Sequence, residues 1–571
     1  MSEALDTSTT SDASDASESS RRFDPITVEI IQSSLTSITD EMFSTMRRTA
    51  MSSIIYEVLD FGVAIMDKNG DLANSGAGIP GFIGMLEPGV KEIIRKFSPS
   101  NDIEDGDVFI LNIPHKGGVS HINDVVIIQP VFVDGQIISW LSNKAHWVDL
   151  GGAFPGGISP DATEVYQEGL QLPGVKIMQA GKINQSVLDI ILINSRVPET
   201  TRGDLWAGIA SMSSGEKRLL SLVEKYGIDV ILYAIDEYIR LGEAISRKAM
   251  QDLPMGTYQA TQVLDDGREV RASITMSADE FLIDLRGNPA QGNNAFNASY
   301  DATFVDCQMI FKAITSPESF GNAGTFRPLK LMVDEGSMFA ATYPCAMGVY
   351  YETSMILLDL LWKALAPVLP DRLPAGHYSS ICGTFMGGAH PETGQTIGIV
   401  EPQLGGWGAS RTSDGLNALY TGYHGETFNV PVEITEQRNG LMVDKLSLTD
   451  IQGGEGEFIG GKGINLHYRI LTDDWWLTMA YVKSDEGPWG MNEGCSGTTN
   501  YVVVQKANGD EQRYSSCTAL TLNTDDVVKV FTATGGGYGD PRNRSPQQVA
   551  ADIRNGYLTP ERAKEVYNYT G

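Results

Sequence analysis

The sequence predicts a mixed fold, either α+β or α/β, that is large enough to have several layers. Three observations support this class. Apolar residues recur at helical spacing from Ile26 to Met46, and β-branched runs separated by turn residues fill much of 56–150. The third observation is the length of 571 residues with 42% apolar side chains, which provides for more than one domain or for one large body with insertions.

The predicted elements alternate along the chain. Asp24-Pro25 begins a helix that ends near Ala50, because Asp caps the first turn and Pro fits its first position. The pattern then predicts a buried strand at 56–66, a hairpin region at 107–150, helices at 185–253 with a break near Gly227, strands at 256–285, and helices at 302–314 and 352–365. The C-terminal part is predicted to be β- and glycine-rich at 441–532 and to end in two short helices split by Gly556.

The charge and the cysteine content exclude several classes of protein. A net charge of −30 disfavours nucleic acid and anionic membranes as partners. No apolar run approaches the ~20 residues that a membrane-spanning helix needs. The five cysteines are scattered without a Cys-x-x-Cys pair, which argues against a disulfide framework or a zinc knuckle. A reducing, cytoplasmic location is therefore expected.

One hairpin contains the strongest candidate site. Asp134-Gly135 separates two apolar, β-branched runs, and this dipeptide predicts a two-residue turn. With that turn, Asn123 faces His146 across the hairpin, and Asp124 faces Ala145. The open end of the hairpin therefore gathers polar side chains from both strands.

His121, Asp124 and His146 are expected to converge at this open end. Two imidazoles and a carboxylate suit Zn²⁺, Mn²⁺ or Fe²⁺, so the cluster predicts a divalent-metal site. The alternative is that the histidines only hydrogen-bond to neighbouring loops. Pro130 indicates an edge strand or a bulge, and a bulge would shift the register by one residue.

Other polar residues carry weaker signals. Asp60 interrupts the apolar run of the predicted strand. A buried carboxylate needs a partner, which can be a metal, an arginine or a set of backbone N–H groups. Four further histidines stand alone in the sequence and are interpreted as structural: His377, His390, His424 and His467.

Two dense glycine clusters lie at 453–463 and 534–539. Neither has the Gly-Lys-Ser/Thr of a phosphate-binding loop or the dinucleotide-binding fingerprint of a βαβ unit. Tight turns and close backbone crossings are the favoured interpretation. The alternative is a loop whose backbone donors approach a substrate or a partner chain.

Seven short motifs follow one another between residues 25 and 569: Leu59-Asp60-Phe61, Gly117-Gly118 with His121-x-x-Asp124, Ala145-His146-x-x-Asp149-x-Gly151-Gly152, Asn322-x-Gly324-x-Phe326-Arg327-Pro328, Gly405-Gly406-x-Gly408, Asn429-x-Pro431-x-Glu433 and Thr534 to Pro541. As a set they resemble the hydantoinase B/oxoprolinase family. This family includes the second subunits of ATP-dependent hydantoinases and lactamases, and the metal-bearing subunits of acetone carboxylase-type enzymes. The resemblance implies a large, multi-layer hydantoinase B-like fold.

The resemblance also assigns residues to roles. It implies that Asp149 lies behind the metal ligands and orients an imidazole. Many members read Asn-Asp-Pro-Tyr/Phe where this chain reads Asn112-Ile113-Pro114-His115. His115 is the candidate for proton transfer, since an unperturbed imidazole pKa near roughly 6.5 suits that task. The implied metal ligands are Asp60, His121, Asp124 and His146.

The implied function is that of a subunit. This chain would be the metal-bearing subunit of an ATP-dependent hydrolase of cyclic amides such as hydantoins, lactams or 5-oxoproline. The sequence has no recognisable ATP site, so ATP is expected to bind to a separate hydantoinase A-type ATPase subunit in a hetero-oligomer. The divalent metal would lower the pKa of a bound water toward about 7 and polarise the carbonyl group.

Two other functions would use the same ligands. One is the metal-bearing subunit of an ATP-dependent carboxylase of acetone- or acetophenone-type ketones, which typically needs a third, small subunit. The other is a non-catalytic scaffold with a structural metal, which predicts a closed four-ligand site without a cavity. The expected organisation is a disordered acidic tail at 1–22, a metal-site domain at 23–255, and a β-rich domain at 256–571 with Gly-rich loops and C-terminal helices.

Overall fold

The first helix lies where the sequence predicts it. A computed structural model describes residues 23–425 and 427–571, so the predicted tail lies outside the described residues. Helix α1 spans Pro25–Thr49, and the Asp24 carboxylate accepts hydrogen bonds from the backbone N–H groups of Ile26 and Thr27. The apolar stripe of α1 is buried and packs on a second long helix, α5 (Pro198–Tyr226), and on a sheet.

This sheet has seven antiparallel strands in the order β2-β1-β5-β4-β3-β6-β7. The predicted hairpin, β4-β5, therefore lies at the centre of the sheet. The strands are β1 Phe61–Asp67, β2 Leu72–Gly78, β3 Val108–Leu111, β4 Asp124–Val133, β5 Gln136–His146, β6 Pro173–Gln179 and β7 Lys182–Ile183.

The strand predicted at 56–66 starts later than expected. Residues Ser53–Tyr56 form a short helix, α2, and strand β1 begins only at Phe61. Leu59 has a φ of +65°, which is incompatible with extended structure at that position. Asp60 therefore lies between the helix and the strand, where its backbone N–H donates to the carbonyl of Ile54 at 2.9 Å.

A β-bulge shifts the register of the central hairpin. Near the turn, Phe132 pairs with Ile137, as the two-residue turn requires. The next pair is Val131 with Ser139, so Ile138 is the extra residue of the bulge. Every pair beyond this point is displaced by one residue from the predicted register.

The bulge corrects the predicted facing pairs at the open end. Asp124 faces His146 and not Ala145. Residues that are directly opposite in an antiparallel pair share one face of the sheet, so the bulge brings these two side chains together. Pro130 pairs with Trp140, one pair before Val131–Ser139 and the register shift, in a segment of β4 that β3 does not pair.

Helices connect this sheet to a second one. The break between the two long helices falls at Gly227, as predicted, with a φ of +85°. The second sheet has the order β11-β10-β9-β8, in which only β10 and β11 run parallel. The elements are α3 Pro80–Phe97, α4 Gln185–Asn194, α5 Pro198–Tyr226, α6 Ile228–Met250, β8 Gly256–Val263, β9 Glu269–Met276, β10 Phe281–Asp284, α7 Tyr300–Thr315, β11 Leu329–Met332 and α8 Tyr350–Leu365.

Two antiparallel sheets form the C-terminal part. Their orders are β13-β12-β16-β19 and β14-β15-β20-β17-β18. Gly556 separates the last two helices, as the sequence predicts. The elements are β12 Gly383–Ala389, β13 Thr396–Glu401, α9 Val432–Asn439, β14 Leu441–Leu448, β15 Ile464–Ile470, β16 Trp475–Ala480, β17 Tyr501–Gln505, β18 Glu511–Tyr514, β19 Ser516–Leu522, β20 Val527–Phe531, α10 Pro546–Arg554 and α11 Pro560–Tyr567.

The glycine clusters let backbone segments cross at close range. A Cβ on Gly406 would lie 2.0 Å from the carbonyl oxygen of Gly461, and a Cβ on Gly535 would lie 2.1 Å from that of Trp407. The N–H of Gly535 donates to the carbonyl of Gly461 at 2.9 Å. These contacts support close backbone crossings as the role of the clusters.

The structure confirms a mixed α+β fold with several sheets. Phe82 and Met85 of α3 pack in one core with Phe311 and Leu357 from beyond residue 255. The predicted division of the chain at that residue stays a prediction. Within the described part of the chain, no helix combines the length and the apolarity that crossing a membrane requires.

Candidate metal centre

His121, Asp124 and His146 form a buried cluster at the open end of the β4-β5 hairpin. Asp124 Oδ1 lies 3.1 Å from His121 Nε2 and 3.3 Å from His146 Nδ1. One ligand atom from each of the three residues lies within 4.8 Å of the others. Ligand atoms bound at about 2.1 Å to one tetrahedral ion are about 3.4 Å apart. The spacing therefore suits a shared cation.

Asp60 lines the same cavity as these three residues. Its backbone carbonyl accepts a hydrogen bond from the backbone N–H of His146 at 3.1 Å, which fixes the loop before β1 against β5. Burial raises the pKa of the Asp60 carboxyl to about 7; His146 and Lys144 oppose this rise, and Asp124 adds to it. The structure thus brings all four predicted ligands to one cavity.

Two polar atoms of this group have no hydrogen-bond partner among the residues that the structure describes. They are Asp60 Oδ1 and His146 Nε2, and each is buried. Unpaired buried polar atoms are costly, and a clustered set of them is what a missing cation would leave. The chemistry of the donor set, two imidazoles and two carboxylates, fits a divalent transition metal or zinc.

A backbone carbonyl orients His121. Its Nδ1 lies 3.0 Å from the carbonyl oxygen of Gly348, so Nδ1 carries the proton and Nε2 is left as the ligand atom. The carboxyl of Glu168 holds this loop by accepting hydrogen bonds from the backbone N–H groups of Met347, at 2.9 Å, and Gly348. Glu168 is therefore a positioning residue, which sequence reasoning missed.

The second carboxylate oxygen of Asp124 is held by a buried network. Lys144 Nζ lies 3.2 Å from it, Tyr350 Oη donates to it at 3.3 Å, and Ser120 Oγ also donates to it. Burial alone would raise the pKa of Asp124, but His121 and Lys144 hold it well below its usual range. Asp124 is thus kept ionised, as a metal ligand must be.

Lys144 was also missed by sequence reasoning, although a signal was present. It is two residues before His146 in β5, so both side chains point to the same face of the strand. A lysine inside an apolar strand requires a partner for its charge. Its ammonium group lies 4.2 Å from the centre of the Phe82 ring and is fully buried.

The cavity beside the cluster is largely aromatic. It has a volume of ≈ 30 Å³. His424 is one of its walls, although its isolated position in the sequence suggested a structural role, and burial lowers the pKa of its imidazole to about 3. The other walls include Phe82, Tyr350, Tyr351, Phe385 and Tyr423.

Two further predicted residues lie elsewhere. His115 is not part of the cavity wall; its Nε2 donates to the carbonyl of Cys345 at 2.9 Å, and burial lowers its pKa to about 4. Its role in proton transfer stays a prediction. Asp149 accepts from the N–H groups of Gly151 and Gly156 and pairs with Arg196 at 2.9 Å. Asp149 therefore secures a loop, and the imidazole of His121 is oriented by a carbonyl instead.

We expect Lys144→Met to destabilise the metal-free protein by about 3–5 kcal/mol, because it leaves Asp124 charged and buried without its cation. Added metal should restore part of this loss by binding only the folded state. Denaturant unfolding with and without a chelator measures both effects. Lys91→Met is the matched control, since Lys91 is half exposed and its ion pairs with Asp71 and Glu87 are worth at most about 1 kcal/mol. Equal losses in the two variants would contradict the prediction.

Glu168 predicts a pH dependence of stability. Burial raises its pKa to about 8 from an ordinary value of 4.5, against the effect of the Gly348 and Met347 N–H groups. The folded chain therefore binds a proton more tightly than the unfolded chain, and the free energy of unfolding should fall as the pH rises from about 5 to 8. Glu168→Gln keeps the acceptor oxygen and should reduce this slope. Burial also raises the pKa of Glu352 to about 8, so some slope should remain. An unchanged slope in urea unfolding of the metal-free variant would argue against this account.

Comparison with known proteins agrees with the motifs. The chain matches the hydantoinase B/oxoprolinase family over residues 24–541. It is 30% identical over 575 residues to a protein of Pseudomonas sp. (strain NS671) that is named as the B-type subunit of a putative D-/L-hydantoinase, with 96% of each chain covered. Its structure is similar to that of the ATP-dependent caprolactamase from Pseudomonas jessenii, with a TM-score of 0.89 and 26% identity over 96% of this chain and 97% of the other.

A second solved structure shares the fold at lower identity. It is a nucleotide-free acetone carboxylase, with a TM-score of 0.89 and 19% identity over 96% of this chain and 80% of the other. The fold alone is therefore common to relatives with different reactions. Since the family match covers most of its length, the chain belongs to the hydantoinase B/oxoprolinase family.

Proposed function

We propose that this chain is the metal-bearing subunit of an ATP-dependent enzyme that hydrolyses a small cyclic amide. The observation that carries the proposal is the convergence of His121, Asp124 and His146 beside an aromatic cavity. Asp60 completes the ligand set, and the cavity gives water or substrate access to it. A purely structural metal would need no such cavity.

The metal would supply a water of lowered pKa and a positive charge for the carbonyl oxygen. The residues of this chain do the rest. Gly348 fixes the tautomer of His121 through its carbonyl group. Lys144 and Tyr350 hold Asp124 in place. The aromatic walls keep bulk water away from the reacting amide, which strengthens electrostatic interactions there.

A partner subunit of the hydantoinase A type would bind ATP and activate the amide. The net charge of −30 and the absence of a phosphate-binding motif in the sequence agree with ATP binding elsewhere. The relative in Pseudomonas sp. (strain NS671) is itself named as one subunit of its enzyme. Unpaired cysteines, such as the buried Cys307, support a reducing, cytoplasmic location.

The test uses the chain purified together with its ATPase partner. ADP formation is measured with a panel of lactams, hydantoins and ketones, each with and without bicarbonate. We expect ADP formation to depend on a cyclic amide and not on bicarbonate, and a ring-opened amino acid to form. ADP formation that requires a ketone and bicarbonate together would show a carboxylase instead.

A further inference from the structure

We propose that Tyr351 and His424 position the amide group of the substrate. This inference rests on the proposed function and adds two substrate-positioning residues to it. It starts from two buried polar atoms on side chains that line the cavity.

The hydroxyl of Tyr351 is the first of these atoms. The side chain lines the cavity and the residue is 6% exposed, yet its Oη has no hydrogen-bond partner in the described part of the chain. Its two tyrosine neighbours differ, because Tyr350 Oη donates to Asp124 and Tyr423 Oη donates to Tyr350 at 3.2 Å. Leaving a buried hydroxyl unpaired costs about 1–3 kcal/mol, so this hydroxyl requires a functional explanation.

His424 provides the second atom. The residue is 7% exposed, it lines the same cavity, and its Nδ1 has no partner among the described residues. A hydroxyl and an imidazole nitrogen are a donor and an acceptor, respectively. A ring amide offers the complementary pair, a carbonyl oxygen and an N–H group on adjacent atoms. Tyr351 would donate to the carbonyl oxygen and His424 would accept from the N–H group.

Tyr351→Phe tests the positioning role in the assembled, metal-loaded complex. We expect the KM for a neutral lactam to rise about 10-fold with little change in kcat, because a ground-state hydrogen bond is lost. Metal content and melting temperature should stay as in the unmodified chain. Tyr567→Phe is the matched control, since its hydroxyl is also buried but lies in the last helix and does not line the cavity. An unchanged KM in Tyr351→Phe would overturn the role of this hydroxyl.

Gly383→Ala provides a second, independent variant. A Cβ at this position would lie 3.4 Å from Tyr351 Oη and 3.1 Å from Phe385 Cε2, so the methyl group occupies the space beside the hydroxyl. We expect it to weaken lactam binding while the metal content is kept. Unchanged lactam kinetics in this variant would also count against the assignment.

Two outcomes separate this inference from the proposed function. If the complex opens a lactam and the KM is unchanged in Tyr351→Phe, the inference fails and the proposed function stands. If no cyclic amide is opened and a ketone is carboxylated, the proposed function and this inference both fail.

Discussion

Replacing His121 or His146 by alanine should abolish metal binding and turnover together. Each change removes one of the imidazoles whose nitrogen lies about a ligand spacing from Asp124 Oδ1. Substitution of a residue that only orients a metal ligand typically lowers metal affinity or activity by about 10- to 100-fold. Loss of a ligand itself should therefore lower turnover by more than about 100-fold. Metal content by mass spectrometry and ADP formation by the complex measure the two effects.

The fold should survive these changes. Both imidazoles lie at the end of a hairpin whose two strands pair with each other and, over part of their length, with β3 and β1 on the outer sides. His390→Ala is the matched control, because His390 is also buried but hydrogen-bonds to the carbonyl of Gln437 and does not line the cavity. Its metal content should be normal. Full metal content in the double variant His121→Ala/His146→Ala would rule out the site.

Gly535→Ala should destabilise the protein by more than about 5 kcal/mol, beyond the range of ordinary substitutions. The added Cβ would lie 2.1 Å from the carbonyl oxygen of Trp407 and 2.2 Å from its carbon. The neighbouring atoms are backbone, and Gly535 is hydrogen-bonded to Gly461 on its other side, so neither segment can move aside. Yield of folded protein and urea unfolding measure the loss.

Gly422→Ala makes the same substitution in open space. No heavy atom of the described residues lies within 4 Å of a Cβ at that position. This control separates the effect of the crossing from the general difference between glycine and alanine, which is at most about 1 kcal/mol. Similar stability of the two variants would mean that the crossing tolerates a side chain.

Local sequence signals predicted much of the fold. The capped helix at Pro25–Thr49 and the turn at Asp134-Gly135 follow from short-range chemistry, which acts within a few residues. The start of strand β1 could not be predicted in this way. It depends on the left-handed φ of Leu59, and leucine does not favour that conformation. Backbone strain of this kind is set by the surrounding packing.

The candidate site was predictable only in part. His121, Asp124 and His146 are close in sequence and share one hairpin, so their spacing indicated a cluster. Asp60 was assigned by the family resemblance alone. Glu168 and His424 belong to the site because segments distant in sequence come into contact, as Glu168 does with Gly348. Sequence periodicity does not predict contacts of this kind.

The bulge at Ile138 has a consequence for changes in chain length. It sets the phase of the strand that ends in His146, because side chains alternate between the two faces of a strand. Deleting one residue between Ile138 and His146 can be absorbed by loss of the bulge, because the regular register of the two-residue turn then places His146 opposite Asp124. Inserting one residue there has no such remedy: unless a second bulge forms, the imidazole moves to the other face of the strand and metal binding should be lost.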